Sequence, residues 1–237
     1  MTAKLFQDDP RLRSTAATVQ ASAPEGVVLD RTVFYARGGG QPGDTGVLRW
    51  DGGEMPVADT VKGEGGTVLH VPAPGATLPA EGTTVDAVLQ WDRRWALMRM
   101  HTALHLLCAV LPGAAVTGGQ IGADKSRLDF DLSELPSKEL LESGLNSLIS
   151  QDHPVSTEWV DESVLDTSPG LVRTLSVQPP RGASRLRLVR IGAGETPVDL
   201  QPCGGTHVAR VGEIGRVTVT GIEKKGKLNR RVRIALG

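Results

Sequence analysis

Two pairs of metal-type side chains with the same spacing constrain this chain more than anything else in it: His101-Thr-Ala-Leu-His105 and, far along the sequence, Cys203-Gly-Gly-Thr-His207. In an α-helix, residues four apart stand on one face with Cβ atoms about 5–6 Å apart, so two imidazoles can reach a single ion. The second pair needs a turn, and Gly204 and Gly205 free the backbone to bring the Cys203 thiolate and the His207 ring to a common point. A helical His pair by itself often marks only a half-buried face. The matched second pair, in a chain with 5 His and 2 Cys, points instead to one four-ligand site. Three nitrogens and one sulfur suit Zn(II), one ion per chain. Cys108 shares the helix face, but the seven residues that separate it from His101 rise about 10 Å, too far for both to meet one ion. It reads as a buried small hydrophobe within Leu106-Leu-Cys-Ala-Val-Leu111.

The remainder of the sequence predicts an α+β protein of two domains, 1–88 and 89–237. Up to position 88 it runs in short β-like segments such as Gly26 to Tyr35, Thr67 to Val71 and Thr84 to Leu89, separated by Gly- and Pro-rich turns. Strands at that spacing suggest a small barrel or sandwich. Asp92 to Leu111 then reads as one helix, with Leu97, Met100, Leu104 and Leu107 at 3–4 spacing and Pro112-Gly113 as its stop. A second helix is expected over Lys138 to Asp152 behind Ser137 as N-cap, with strands over Ser126 to Asp131 and Ser184 to Ile191. Helices and strands without a βαβ rhythm argue for α+β. Two cysteines leave no disulfide framework, the N-terminus lacks an apolar signal core, and Leu104 to Leu111 is too short to span a bilayer. Cytoplasmic location, no membrane and no obligate protein partner are the expectations. A net charge of −1 requires any nucleic-acid contact to come from a local patch.

Three strings carry a specific resemblance: Phe34-Tyr-Ala-Arg-Gly-Gly-Gly-Gln-Pro-Gly-Asp-Thr-Gly46, Arg99-Met-His-Thr-Ala-Leu-His-Leu-Leu107 and Cys203-Gly-Gly-Thr-His207. In this order they resemble the motifs of the medium-length AlaX alanyl-tRNA editing proteins, and the resemblance covers nearly the whole chain. It implies an N-terminal barrel-like domain carrying the glycine motif (Gly38, Gly39, Gly40, Gln41). It also implies an α+β zinc-binding editing domain of the threonyl- and alanyl-tRNA synthetase type. The implied activity is a free-standing, ATP-independent aminoacyl-tRNA deacylase. Its substrate would be mischarged tRNA(Ala), chiefly Ser-tRNA(Ala), with Gly-tRNA(Ala) as a second candidate. Within Val116-Thr-Gly-Gly-Gln-Ile121, Thr117 resembles the family's serine-sensing threonine and Gln120 its pocket glutamine; an ordinary turn is the alternative. The tail from Gly221 to Leu236 resembles the family's closing hairpin.

The chemistry can be read beside the resemblance. Thr102 follows His101, so the helix lacks the Glu of a His-Glu-x-x-His protease, and ester cleavage is a better fit than peptide hydrolysis. Four protein ligands close a tetrahedral site, whereas catalytic zinc usually keeps an open position. Either one ligand, Cys203 or His207, yields to water or substrate, or the metal positions the substrate; positioning is slightly favoured. Selection of serine over alanine needs a buried partner for one hydroxyl, left unpaired when alanine enters at a cost of about 1–3 kcal/mol. Gly38-Gly39-Gly40 suits close backbone approach to RNA or metal, or equally a tight hairpin turn. Lys224, Lys225, Lys227, Arg230, Arg231 and Arg233 alternate with apolar residues at the C-terminus, as Arg185 and Arg187 do with Leu186 and Leu188. Cationic strand faces of this kind could track a tRNA backbone. With 3% aromatic residues, no extended stacking platform is expected. The rival classes are a non-catalytic zinc-containing tRNA-binding module and a metal hydrolase for small molecules.

Overall fold

The computed structural model describes residues 1–167, 169–174 and 184–237. The strands of the first part are β1 (Ala3–Lys4), β2 (Ser14–Ala23), β3 (Gly26–Leu29), β4 (Arg31–Thr32), β5 (Gly46–Trp50), β6 (Gly53–Lys62), β7 (Val68–Pro72) and β8 (Thr84–Leu89). Six of them close into an antiparallel barrel in the order β2-β3-β7-β6-β5-β8, with β8 pairing to both β2 and β5; β1 and β4 form a short parallel pair. Strand periodicity explains the closure: on β8, Val85, Ala87 and Leu89 point into the core while Thr84 and Asp86 face water. Phe34, Leu29, Leu48 and Met55 fill the interior. The expected barrel is therefore present, and it is closed.

The glycine motif makes a two-residue turn. Gly38 and Gln41 exchange backbone hydrogen bonds of 3.1 and 3.0 Å, and Gly39 and Gly40 between them have φ of 57° and 83°. Two consecutive positive φ angles are what a type I′ hairpin turn requires. Gly46 meets a different demand, since a Cβ there would lie 2.1 Å from the Val88 carbonyl oxygen of the neighbouring strand.

Helix α1 (Trp91–Val110) follows the barrel, within a residue of expectation at each end. The chain divides into two compact units, Met1–Ala96 and Leu97–Gly237, and this division falls inside α1. The reason is Arg94. Fully buried, it forks onto the Asp44 carboxylate through Nε and Nη2, and it donates to the carbonyls of Val33 (2.7 Å) and Pro10 (3.1 Å). Arg93 adds a 2.8 Å bond to the Gly43 carbonyl. Those bonds make the first turn of the helix part of the first unit.

In the second unit, β9 (Ala115–Gln120) and β10 (Lys125–Asp131) are followed by α2 (Lys138–Ser150), β11 (Val155–Asp161), the single turn α3 (Val164–Thr167), β12 (Arg185–Ile191), β13 (Asp199–Pro202), β14 (Val217–Lys224) and β15 (Asn229–Leu236). They form an antiparallel sheet β14-β15-β10-β9 and a three-stranded antiparallel sheet β11-β12-β13. Ser137 caps α2 by accepting from the Leu140 N–H (3.3 Å), and Leu141, Leu145 and Ile149 form its buried stripe. Asn146 of α2 bonds both the N–H and the C=O of Val217, at 3.0 and 2.8 Å, which satisfies the outer edge of β14. The segment Val116 to Ile121, expected as a possible turn, is instead mostly strand β9. Gly118 and Gly119 are poor strand formers, but cross-strand pairing to Asp129 and Leu128 of β10 overrides that local preference.

Candidate metal centre

Helical spacing stacks His101 and His105, whose ring centroids are 5.3 Å apart, and the Gly204-Gly205 turn after β13 brings His207 to 4.3 Å from the first ring and 4.7 Å from the second. One ligand atom from each of His101, His105, Cys203 and His207 lies within 4.8 Å of all the others. Cys203 Sγ is 3.5 Å from His101 Nε2 and 3.4 Å from His207 Nε2. Ligands at zinc bond lengths of about 2.3 Å (sulfur) and 2.0–2.1 Å (nitrogen), at the tetrahedral angle, stand about 3.6 Å apart, so the spacing and the donor set fit Zn(II). All three rings are buried and Cys203 is half-buried. Cys108 is outside the cluster. Burial pushes its thiol up to about 12, which leaves it an inert packing residue.

The surrounding residues hold the ligands in place. His105 Nδ1 bonds Asp199 Oδ2 at 2.8 Å, and Gln201 Nε2 holds the same carboxylate oxygen at 2.7 Å. Thr102 Oγ1 lies 3.1 Å from His207 Nδ1, donates to the Met98 carbonyl and accepts from Val208 N–H. These contacts turn Nε2 of both rings toward the centre and set their tautomers. The Arg187 side chain, 5% exposed, donates to the carbonyls of Cys203 (2.9 Å) and Gly205 (3.0 Å) and so fixes the ligand turn. This corrects the expectation of a cationic face at Arg187. Sequence reading missed Asp199, Gln201, Thr102 and Arg187. A signal existed for two of them, since Asp199, Gln201 and Cys203 alternate at strand spacing.

Charge in the centre is coupled. Burial disfavours the thiolate of Cys203, yet the His101 and His207 rings beside it hold its pKa well below the ordinary thiol value. Burial likewise disfavours the charged ring of His105, but the Asp199 hydrogen bond and the Cys203 sulfur outweigh it and push His105 up to about 10. For His207, burial and the neighbouring His101 hold the ring neutral. A thiolate beside a protonated imidazole is the form from which a metal displaces a proton on binding.

The other expected site residues are placed unevenly. Thr117 is the extra residue of a β-bulge, where the register passes from Val116↔Phe130 to Gly118↔Asp129. Its Oγ1 is buried with no hydrogen-bond partner among the described residues. The adjacent Val116 N–H donates to the Arg173 carbonyl, and Arg173 Nη2 stands 3.6 Å from Asp199 Oδ1. Gln120 is exposed and accepts a 3.4 Å bond from Arg127; no hydrogen bond joins it to Thr117 among the described residues. At the C-terminus, Arg231 forks onto Asp129 at 2.7 and 2.9 Å, Lys225 and Arg233 pair with Glu223, and Arg230 caps carbonyls of the β14–β15 turn. Lys224 and Lys227 are exposed and have no ion-pair partner among the described residues.

Comparison with known proteins decides the family. The alanyl-tRNA editing protein AlaX-M of Methanosarcina acetivorans is 36% identical over 100% of this chain and 99% of its own length. The chain belongs to the AlaX family. The AlaX-L protein of Pyrococcus horikoshii is 33% identical over 100% of this chain and 58% of its own. The alanine–tRNA ligase of Pyrobaculum aerophilum is 36% identical over 94% of this chain, and the chain spans 25% of that ligase's length. Residues 4–93 match the family described as tRNA synthetases class II (A), and residues 186–233 match the threonyl and alanyl tRNA synthetase second additional domain. The second match runs from β12 through Cys203 and His207 into β15. Among the described residues, no helix is long and apolar enough to cross a membrane.

Proposed function

We propose that this chain is a free-standing, cytoplasmic trans-editing deacylase that hydrolyses the aminoacyl ester of mischarged tRNA(Ala), chiefly Ser-tRNA(Ala), with Gly-tRNA(Ala) as a second substrate. The observation that carries the reading is the convergence of His101, His105, Cys203 and His207 on one point in a member of the alanyl-tRNA editing family. These four would hold one Zn(II), which when bound supplies a Lewis-acidic anchor beside the ester. Asp199 keeps the His105 ring oriented, and Arg187 keeps the Cys203–His207 turn rigid. The Thr117 hydroxyl, without a hydrogen-bond partner among the described residues, is the serine selector: a substrate hydroxyl satisfies it, whereas alanine leaves it unpaired. Lys224 and Lys227 supply exposed charge for the RNA backbone, with Lys225, Arg230 and Arg231 behind them already engaged by acceptors of the protein itself. Gln120, at the exposed end of β9, and the Gly38-Gly39-Gly40-Gln41 turn take supporting roles in this reading.

The test is deacylation of Ser-tRNA(Ala), Gly-tRNA(Ala) and Ala-tRNA(Ala) by the purified protein. Release of serine well above release of alanine is expected, and equal, background-level rates for all three would reject the activity. The closed four-donor set favours one second reading, a tRNA-binding module with a structural zinc. Tight tRNA binding without any deacylation is its signature.

A further inference from the structure

The three-stranded sheet carries a feature that the metal centre does not use. Across it, antiparallel register places Trp159 of β11 opposite Arg187 of β12, and Cys203 N–H donates to the Arg187 carbonyl on the other side, at 3.1 Å. Directly opposed residues on antiparallel strands point to the same face, so Trp159, Arg187 and Cys203 form one row on one side of the sheet. That is the face on which Asp199 and Gln201 reach His105. Two strand spacings of about 4.8 Å put the Trp159 backbone roughly 10 Å from that of Cys203. That span is comparable with one nucleoside, measured from an acylated ribose hydroxyl to its base.

Trp159 is 41% exposed and is the one exposed aromatic residue among the described residues. Every other Phe and Tyr is buried, and the remaining Trp side chains are half-buried. Burying an indole is among the larger stabilisations a side chain can provide, so an indole left open on the edge strand beside a metal centre calls for a ligand. Arg185, on the same face, places its guanidinium carbon 5.9 Å from the centre of the Trp159 ring. The guanidinium lies over one face of the indole and leaves the opposite face for a base, so ring and cation match the two parts of a nucleotide, a base to stack and a phosphate to pair. Edge position matters too, because among the described residues β11 has no further strand outside it and the ring is open to a long ligand arriving from solvent.

We propose that Trp159 is the stacking platform for the base of the 3′-terminal nucleotide of the charged RNA, with Arg185 engaging the adjoining phosphate. The assignment rests on the deacylase reading above and names the residue that sets the terminal nucleoside against the metal centre. Trp159 touches the base and not the ester, so its loss acts on binding.

Two measurements test it. In steady-state deacylation of Ser-tRNA(Ala), Trp159→Ala raises KM roughly 5- to 100-fold with kcat little changed, and Trp159→Phe, which keeps a stacking face, recovers most of the loss. In the second, the trinucleotide CCA quenches the tryptophan fluorescence of the wild-type protein, and the quench disappears in Trp159→Phe, where only Trp50, Trp91 and Trp95 remain. An unchanged KM in Trp159→Ala, or an equal quench in Trp159→Phe, overturns the platform. So does a Trp159-dependent self-association seen by analytical ultracentrifugation with KM unaltered, which would make the exposed ring an interface between copies of the chain. Absence of deacylation by the wild-type protein would reject the proposed activity, and the CCA titration would still decide whether Trp159 receives a base.

Discussion

Asp199 is the residue on which the metal centre turns. It is 1% exposed, fixes His105 through Nδ1 and is itself held by Gln201. Carboxylates behind a ligating histidine raise its basicity and set its orientation, and their loss typically weakens metal binding 10- to 100-fold. Asp199→Asn is therefore expected to lower zinc affinity by roughly that factor in a chelator competition, and His101→Ala or Cys203→Ala to lower it further, while Cys108→Ser leaves it unchanged. Zinc retention lost in Cys108→Ser but kept in Cys203→Ala would overturn the ligand assignment. Thr117 presents the opposite situation, a buried hydroxyl without a hydrogen-bond partner among the described residues. Thr117→Val conserves volume and removes that hydroxyl, so serine release should fall roughly 5- to 150-fold, equivalent to about 1–3 kcal/mol, with little effect on alanine release. An unaltered serine-to-alanine rate ratio would dismiss Thr117 as the selector.

At the scale of elements, the first turn of α1 and the barrel core each hold a buried ionisable side chain. Arg94 and Asp44 are 0% and 1% exposed in their ion pair, and removing one partner of such a pair costs about 3–5 kcal/mol because the other is stranded. Arg94→Ala should lower the urea midpoint of the first unit accordingly; a loss below about 1 kcal/mol would show that the pair is solvated on breaking. His70 sits wholly inside the barrel, with Nδ1 on the Val27 carbonyl (2.9 Å) and Nε2 on the Thr32 hydroxyl (2.8 Å). Burial lowers its pKa from 6.5 to about 4. Below pH 6.5 the unfolded chain takes up a proton that the folded barrel refuses, so stability is complete above that pH and is lost as pH falls through about 4. The loss attributable to this ring totals roughly 3 kcal/mol. Comparing His70→Gln with wild type between pH 7 and 4.5 isolates the contribution, and identical pH slopes would assign acid sensitivity elsewhere.

For the whole molecule, the balance of charge separates surface from scaffold. Lys224 and Lys227 project without partners among the described residues, whereas Arg231 is part of a network in which its hydrogen bond and the nearby Arg127 hold the Asp129 pKa down. Lys224→Ala with Lys227→Ala should raise KM for charged tRNA and flatten its dependence on log salt by about 0.7–0.9 per lost phosphate contact. An unchanged salt slope would move the RNA path elsewhere. Arg231→Ala should instead lower stability.

What the sequence determined by itself was everything governed by local spacing. The i, i+4 pair and the glycine-freed turn named the four side chains that converge on one point. The 3–4 apolar repeat placed α1 within a residue of its ends, Ser137 marked the start of α2, and short β-like runs indicated a small barrel or sandwich. Tertiary structure alone decided what depends on partners distant in the chain. Arg187 looks like a surface cation until the carbonyls of Cys203 and Gly205 close around it, and the burial of Arg94 rests on Asp44, fifty residues away. β9 looks like a turn until β10 pairs with it, and its bulge, in which Thr117 is the extra residue, exists only in that pairing. The row from Trp159 through Arg187 to Cys203 belongs to the same class, because cross-strand register is set by hydrogen bonds between segments far apart in sequence and leaves no periodic trace in any one of them.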